Sequence, residues 1–176
     1  MHEMSTKAVG NTLIQLHRQQ ISFGLQQPPS LHLLLQWHLP DAPGGGWRKA
    51  IKARSVGIAD ERWASHPQRV PGVLTDVRHE LRAAGPPPGT TKNATVIAWS
   101  LLNTDIAIDT AQGGRHLAVY SADGVDVDGK VYQIRTAERA LQHGELAITE
   151  HPEPGHDHFI GHEQLAALFD LGPLWP

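Results

Sequence analysis

The chain has 176 residues, of which 40% are hydrophobic and 19% charged, so its composition is that of a folded protein and not of a disordered one. It contains no cysteine, which excludes disulfides, thiolate metal sites and cysteine nucleophiles. No apolar run approaches the roughly 20 residues of a membrane-spanning helix, and the first thirty residues lack the apolar block of a signal peptide. We therefore expect a soluble, cytoplasmic protein that forms a single domain over residues 1–176.

The net charge of -3 conceals an uneven distribution of charge along the chain. Residues 47–92 carry nine basic and four acidic side chains, a balance of +5, whereas residues 93–176 carry four basic and twelve acidic side chains, a balance of -8. Such a division predicts either a surface that binds polyanions or two complementary surfaces that meet within the chain or between copies of it. Acidic residues interrupt the basic segment and favour the second interpretation.

The N-terminal part of the chain predicts a helix followed by strands. Apolar residues recur at helical spacing over residues 5–21, and Gly24 ends the pattern. Residues 31–39 alternate between the two faces of a strand, with four leucines and Trp37 on one face. Residues 47–58 fit a strand and a helix almost equally well. The glycine-rich loop before them suits a hairpin and favours the strand.

The middle of the chain predicts another helix and then the centre of the sheet. Residues 71–84 keep their apolar side chains on one helical face, with proline at the start and glycine after the end. Residues 85–93 predict an irregular connector. Residues 94–102 are apolar on nearly both faces, so we expect a central strand that is covered on both sides. Residues 103–109 are expected to extend this strand past a bend.

Two Asp-Gly pairs, at residues 123–124 and 128–129, predict the turns between strands at residues 117–121 and 130–135. Asp-Gly is a frequent turn pair because glycine adopts positive φ values without steric cost. The two pairs therefore predict a hairpin or a tight meander.

The C-terminal part predicts short elements. Thr136 is placed to cap a helix over residues 137–142, and residues 146–149 are expected to form a short strand. Residues 150–161 are rich in proline and histidine and predict an irregular loop, and residues 162–170 predict a last helix. Taken together, the order of elements predicts an α+β fold, with a mostly antiparallel sheet of about four to six strands and helices packed on one face.

Histidine is the unusual residue of the composition, with 12 in the chain and five of them between residues 143 and 162. Two imidazoles separated by one residue on an extended segment lie on the same side, and donors from the following helix can complete the set. A divalent transition metal accepts three or four such nitrogen and oxygen ligands, and a bound water then becomes a nucleophile. The predicted ligands are His156, His158, His162 and Glu163, with Asp157 or Glu153 as the candidate base.

Three polar residues, His32, Gln36 and His38, share one face of the first predicted strand. Side chains two residues apart on a strand point the same way, so a site on the surface of the sheet is geometrically feasible. A half-exposed sheet face is the more common reason for such a pattern.

A basic segment with interspersed tryptophans predicts a phosphate-binding or nucleic-acid-binding surface. Arginine and lysine neutralise phosphates, and an exposed aromatic ring stacks on a base. If the segment forms a strand, one lysine lies on the face opposite to its three basic neighbours. The candidate residues are Arg48, Lys49, Lys52, Arg54 and Arg62.

The sequence contains no P-loop, no dinucleotide-binding glycine motif, no nucleophile elbow and no paired-histidine motif of zinc proteases. Since no catalytic pattern stands out, the sequence favours a non-catalytic binding or regulatory domain that binds a protein partner or forms a homo-oligomer. One alternative is a metal-dependent, hydrolase-like enzyme that uses the C-terminal histidines. The other is a nucleic-acid-binding protein that uses residues 47–69. No association with a membrane is expected.

Overall fold

A computed structural model describes residues 3–24, 27–40, 47–85, 94–109, 113–137, 147–151 and 159–171. The strands are β1 (Ser30–Pro40), β2 (Trp47–Val56), β3 (Ala94–Asp109), β4 (Arg115–Asp126), β5 (Val131–Ala137) and β6 (Ala147–His151). The helices are α1 (Glu3–Phe23), α2 (Asp60–Ser65), α3 (Arg69–Ala84) and α4 (His162–Ala166), which a 3₁₀ turn (Ala167–Phe169) continues. All six strands form one antiparallel sheet in the order β2-β1-β3-β4-β5-β6. The predicted α+β fold is confirmed.

Helices cover both faces of the sheet. On one face, α2, α3 and α4 pack against buried side chains of the central strands, including Leu33 and Trp99. On the other face, Leu13 of α1 packs in a second cluster with Leu34 and Ala122. The prediction that the helices pack on one face is therefore wrong in that detail. Because β3 is apolar on both faces, each face needs a cover that excludes water.

A β-bulge in β3 sets its register against β1. Leu34 pairs with Ala98 and the next residue, Leu35, pairs with Val96, so Ile97 is the extra residue. As a result, Ile97 and Ala98 both join the cluster beneath α1. Strict alternation along this strand would have placed these two neighbours on opposite faces.

Only one of the two Asp-Gly pairs forms a turn. Gly124 lies inside β4, where it pairs with Ser100 of β3, so the turn predicted at residues 123–124 is wrong. A Cβ atom at Gly124 would lie 3.0 Å from Cδ1 of Leu13. Glycine at this position therefore gives α1 the space to approach the sheet.

The turn between β4 and β5 is organised by a buried carboxylate. Oδ1 of Asp126 accepts the backbone N–H groups of Asp128 at 2.9 Å and Lys130 at 3.0 Å. Oδ2 of Asp126 accepts the hydroxyl of Tyr132 at 2.8 Å. Gly129 has a φ of 79°, which the turn requires and which glycine adopts readily. The second Asp-Gly pair is therefore a turn, as predicted.

Residues 47–56 form a strand, which decides between the two interpretations of that segment. Helix α2 was not predicted; two acidic residues, Asp60 and Glu61, occupy its first turn, where the helix dipole favours them. Thr136 lies in β5 and pairs with Tyr120, so its predicted role as a helix cap is wrong. Predictions for residues 138–142, 86–93 and 152–158 lie outside the described residues. Within the described residues, no helix has the length and apolarity needed to cross a membrane.

Candidate functional site

A groove of about 310 Å³ lies between the C-terminal half of α1, the start of β1 and the end of β2. This volume is at the lower end of the range of small-molecule pockets in proteins. Apolar walls come from α1, β2 and α2, and include Phe23, Val56 and Trp63. We call this feature the α1 groove and regard it as the candidate site.

Local structure explains why polar groups converge in the α1 groove. Leu16, Gln20 and Phe23 recur at intervals of four and three residues, so they share one face of α1. Ser30 and His32 are two residues apart on β1, and their side chains therefore point to the same face of the sheet. In the neighbouring strand, the residue that pairs with His32 is Ser55, which also lines the groove.

His32 is the one histidine among the described lining residues of the α1 groove. Its Nε2 lies 3.0 Å from the hydroxyl oxygen of Ser30, within hydrogen-bond distance. Burial lowers the pKa of His32 from 6.5 to about 4, so the imidazole is neutral at pH 7. An imidazole with so low a pKa is a weak general base, and this disfavours activation of the Ser30 hydroxyl as a nucleophile.

Two polar contacts anchor α1 to the sheet beside the groove. Nε2 of Gln20 donates to the backbone oxygen of Asn103 at 2.7 Å, which fixes the orientation of the amide. His17 is fully buried, and its Nε2 lies 2.9 Å from the hydroxyl of Thr136. Burial lowers the pKa of His17, an interaction with Gln20 raises it and the charge of Arg135 lowers it further. Burial dominates, so His17 contributes a neutral ring to the interface.

The α1 groove carries little charge. Asp60, at the start of α2, is the only Asp, Glu, Lys or Arg among its described lining residues, and its side chain is exposed. His32 is neutral, and amides and hydroxyls supply the remaining polar groups. The described lining therefore suits an uncharged ligand with an apolar face, and these residues offer no counter-charge to an anion.

A second polar cluster lies on the opposite face of the sheet. Nη2 of Arg135 lies 2.6 Å from Oδ1 of Asp123, whose side chain is only 6% exposed. Asp105 accepts hydrogen bonds from Asn103 at 2.9 Å and Ser121 at 3.3 Å. Burial raises the pKa of Asp123 to about 6, whereas the ion pair with Arg135 lowers it and the charge of Asp105 raises it. In this cluster, burial favours the protonated form of Asp123, whereas the ion pair with Arg135 favours the ionised form.

The predicted metal ligands fall only partly in the described residues. His156 and His158, together with Asp157 and Glu153, lie outside them. His162 is buried and packs edge-on against Phe159 with ring centroids 5.3 Å apart, whereas the adjacent Glu163 is exposed. Among the described residues, no three histidine, aspartate or glutamate side chains are placed to hold a metal ion. The metal site stays a prediction.

The predicted phosphate-binding residues do not share one surface. In the register of β2 with β1, Lys49 pairs with His38 on one face of the sheet, whereas Lys52 and Arg54 lie on the other face. The side chain of Arg48, also in β2, lies outside the described residues. Arg62 lies in α2 and donates to both carboxylate oxygens of a glutamate in α3. Nucleic-acid binding stays a prediction.

The sequence pointed to part of the α1 groove and missed the rest. His32, Gln36 and His38 share one face of β1, as the sequence predicts, but of the three only His32 lines the α1 groove, whereas Gln36 and His38 contact each other at 3.1 Å. Gln20 carries no sequence pattern that marks it as lining a site, and the sequence marks Trp63 only as an aromatic residue of the basic segment. No family model, no curated protein and no solved structure matches this chain.

Proposed function

We propose that this chain is a non-catalytic binding or regulatory domain that holds a small uncharged ligand in the α1 groove. The observation that carries the proposal is the lining of the groove. Apolar side chains such as Trp63 surround amide and hydroxyl groups, and the half-buried His32 is neutral. A ring compound with N–H and C=O groups matches such a lining. A cytoplasmic location remains part of this proposal.

Matched pairs of compounds test the proposal. Nicotinamide and indole-3-acetamide are uncharged, whereas nicotinate and indole-3-acetate have nearly the same shapes with a carboxylate in place of the amide. We expect at least one amide to raise the thermal unfolding temperature of the protein and its acid to have a smaller effect. The reason is that the described lining residues of the groove include no cation that could compensate a buried carboxylate.

A substitution that fills the groove locates the binding. Ser55→Phe places a large side chain at the groove, and Ser65→Phe makes the same exchange at an exposed position outside it. Binding of the amides should be lost in Ser55→Phe and kept in Ser65→Phe. If acids bind as tightly as amides, if neither amide binds at millimolar concentration, or if both variants behave alike, the proposal is wrong.

The contact between Ser30 and His32 favours a second candidate function, ester hydrolysis. The hydroxyl oxygen and Nε2 are 3.0 Å apart, which is the spacing of a nucleophile and its base. Against this function stands the pKa of about 4 for His32. Turnover of p-nitrophenyl acetate that disappears in Ser30→Ala and rises with a pKa near 4 would establish hydrolysis. An unchanged rate in Ser30→Ala would remove it.

A further inference from the structure

Strand β2 forms an open edge of the sheet. Among the described strands it pairs only with β1, so its other side presents backbone N–H and C=O groups at alternate residues. Its ten residues include Arg48, Lys49, Lys52 and Arg54 and no acidic residue. This edge is therefore both unpaired within the described sheet and strongly basic.

Three other basic residues of the +5 segment form ion pairs within the chain. Arg62 donates to the two carboxylate oxygens of Glu80 at 2.9 and 2.7 Å. Arg78 and Arg82 lie 2.8 and 3.8 Å from the carboxylate of Asp170, which belongs to the acidic segment. The ion pairs with Asp170 join the two oppositely charged segments at one point within the chain. Strand β2 carries four of the nine basic residues of this segment and none of its four acidic residues.

The register places two of the β2 cations side by side. Lys52 pairs with Leu35 and Arg54 pairs with Leu33, so both lie on the sheet face that α3 covers, at positions roughly 7 Å apart along the strand. Lys52 is exposed at this edge. Two acidic side chains at alternate positions of a neighbouring strand would lie directly opposite these cations.

We propose that β2 binds an extended, acidic segment of a partner protein, which adds to the sheet as a seventh strand. Backbone hydrogen bonds to the open edge would supply affinity, and acids at alternate positions would contact Lys52 and Arg54. Lysines on an edge strand also prevent pairing with another basic edge, including β2 of a second copy. The positive charges of β2 that repel another basic strand attract an acidic strand.

Nucleic acid fits this edge less well than an acidic strand does. A phosphate backbone needs cations along one surface, but Lys49 lies on the opposite face of the sheet from Lys52 and Arg54. A row of alternating backbone donors and acceptors complements another peptide and not a phosphodiester chain. The chemistry of the edge therefore selects a strand over an oligonucleotide.

The experiment uses a fluorescent, end-capped ten-residue peptide that alternates glutamate with valine and threonine, matching the length of β2. Anisotropy measures its binding to the full chain, and amide hydrogen exchange locates it. We expect amide exchange to slow in β2 when the peptide binds. Two further peptides carry N-methyl groups on odd or on even residues. Their affinities should differ, because only one of the two patterns removes the amides that hydrogen-bond to β2. A peptide with lysine in place of glutamate should not bind.

Charge reversal separates this contact from general electrostatics. The double variant Lys52→Glu/Arg54→Glu should weaken binding at least about tenfold, whereas Lys7→Glu/Arg18→Glu, which makes the same change of net charge on exposed positions of α1, should change it less than about threefold. If the double variant unfolds, the single variant Lys52→Glu, at an exposed residue, should still weaken binding of the acidic peptide.

Several results would overturn the proposal. They are equal effects of the two double variants, equal binding of the two N-methylated peptides, and no binding at millimolar peptide. Tighter binding of a single-stranded oligonucleotide that Lys52→Glu/Arg54→Glu abolishes would assign the edge to nucleic acid instead. Concentration-dependent assembly of the chain alone, lost in the same variant, would assign it to a second copy. None of these outcomes depends on whether the α1 groove binds a ligand.

Discussion

Replacement of Asp123 by asparagine should make the protein more tolerant of rising pH. The side chain of Asp123 is only 6% exposed and pairs with Arg135 at 2.6 Å, while Asp105 adds negative charge nearby. Burial is the largest effect and raises the pKa of Asp123 from 3.8 to about 6. The folded protein thus holds the proton of this carboxyl more tightly than the unfolded chain does.

The sign and size of the effect follow from linkage. Because the folded pKa lies above the unfolded one, the stabilising contribution of protonated Asp123 is fully present below pH 3.8 and is lost as the pH rises through about 6. The difference between these pKa values corresponds to roughly 3 kcal/mol in the free energy of unfolding. The Asp123→Asn variant has no titratable group at this position. Its free energy of unfolding, measured relative to that of the wild type, should therefore increase by most of these roughly 3 kcal/mol between pH 4 and pH 7.

Urea unfolding at constant ionic strength, at half-unit steps from pH 4 to pH 7.5, measures this difference. Subtraction of the wild-type curve removes the contributions of groups that both proteins share. Asp60→Asn, which makes the same exchange at an exposed carboxylate, is the matched control, and its difference curve should be flat to within about 1 kcal/mol because only the helix dipole acts on this charge. A flat curve for Asp123→Asn as well, or one that falls with rising pH, would refute the assignment of Asp123 as a buried acid that is costly to ionise.

Three further changes test the fold and the α1 groove. His32→Gln should show the opposite pH dependence. The pKa of His32 is about 4 in the folded protein and 6.5 in the unfolded chain, so the free energy of unfolding of the wild type should fall by up to about 3 kcal/mol as the pH falls from 6.5 to 4. Urea unfolding should show that the variant lacks this loss of stability. Gly72→Ala should lower stability by about 1–3 kcal/mol because the added Cβ would overlap the ring of His66. Gly57→Ala is the control, since a Cβ there would have no atom within 4 Å, and thermal unfolding should show almost no change. Equal effects of the two substitutions would contradict the packing around Gly72. Asp126→Ala should lower the free energy of unfolding by about 3 kcal/mol because it leaves the N–H groups of the turn after β4 without their acceptor. Asp126→Asn should lower it by less. If denaturant unfolding shows no loss of stability in either variant, the turn forms without this carboxylate.

The strands and the longer helices were predictable because their patterns are local. The alternation of residues 31–39 corresponds to β1, and the apolar spacing of residues 71–84 corresponds to most of α3. Residues 94–102 are apolar on both faces, which indicated a central strand, and β3 does lie between β1 and β4. In each case a side-chain period of two or of 3.6 residues is visible in one short stretch of sequence.

The positions that the sequence did not reveal depend on contacts between distant segments. Gly124 resembled a turn residue, but the approach of Leu13 from α1 explains why glycine occurs there inside a strand. The α1 groove likewise joins residues of α1, β1, β2 and α2, and of these the sequence marks only His32 and, within the basic segment, Trp63 as site candidates. No periodicity within one segment reports on the neighbours that another segment supplies.

The sequence by itself determined the α+β class, most of the elements and the opposite charges of two segments, because these properties are set by residue type and local spacing. Only the tertiary structure decided that helices cover both faces, that Asp123 is buried beside Arg135, and that the most basic strand, β2, is an edge strand of the described sheet. The physical reason is that burial and the pairing of strands are properties of contacts. The same aspartate or lysine has a different pKa, partner and role according to which distant residues the fold brings against it.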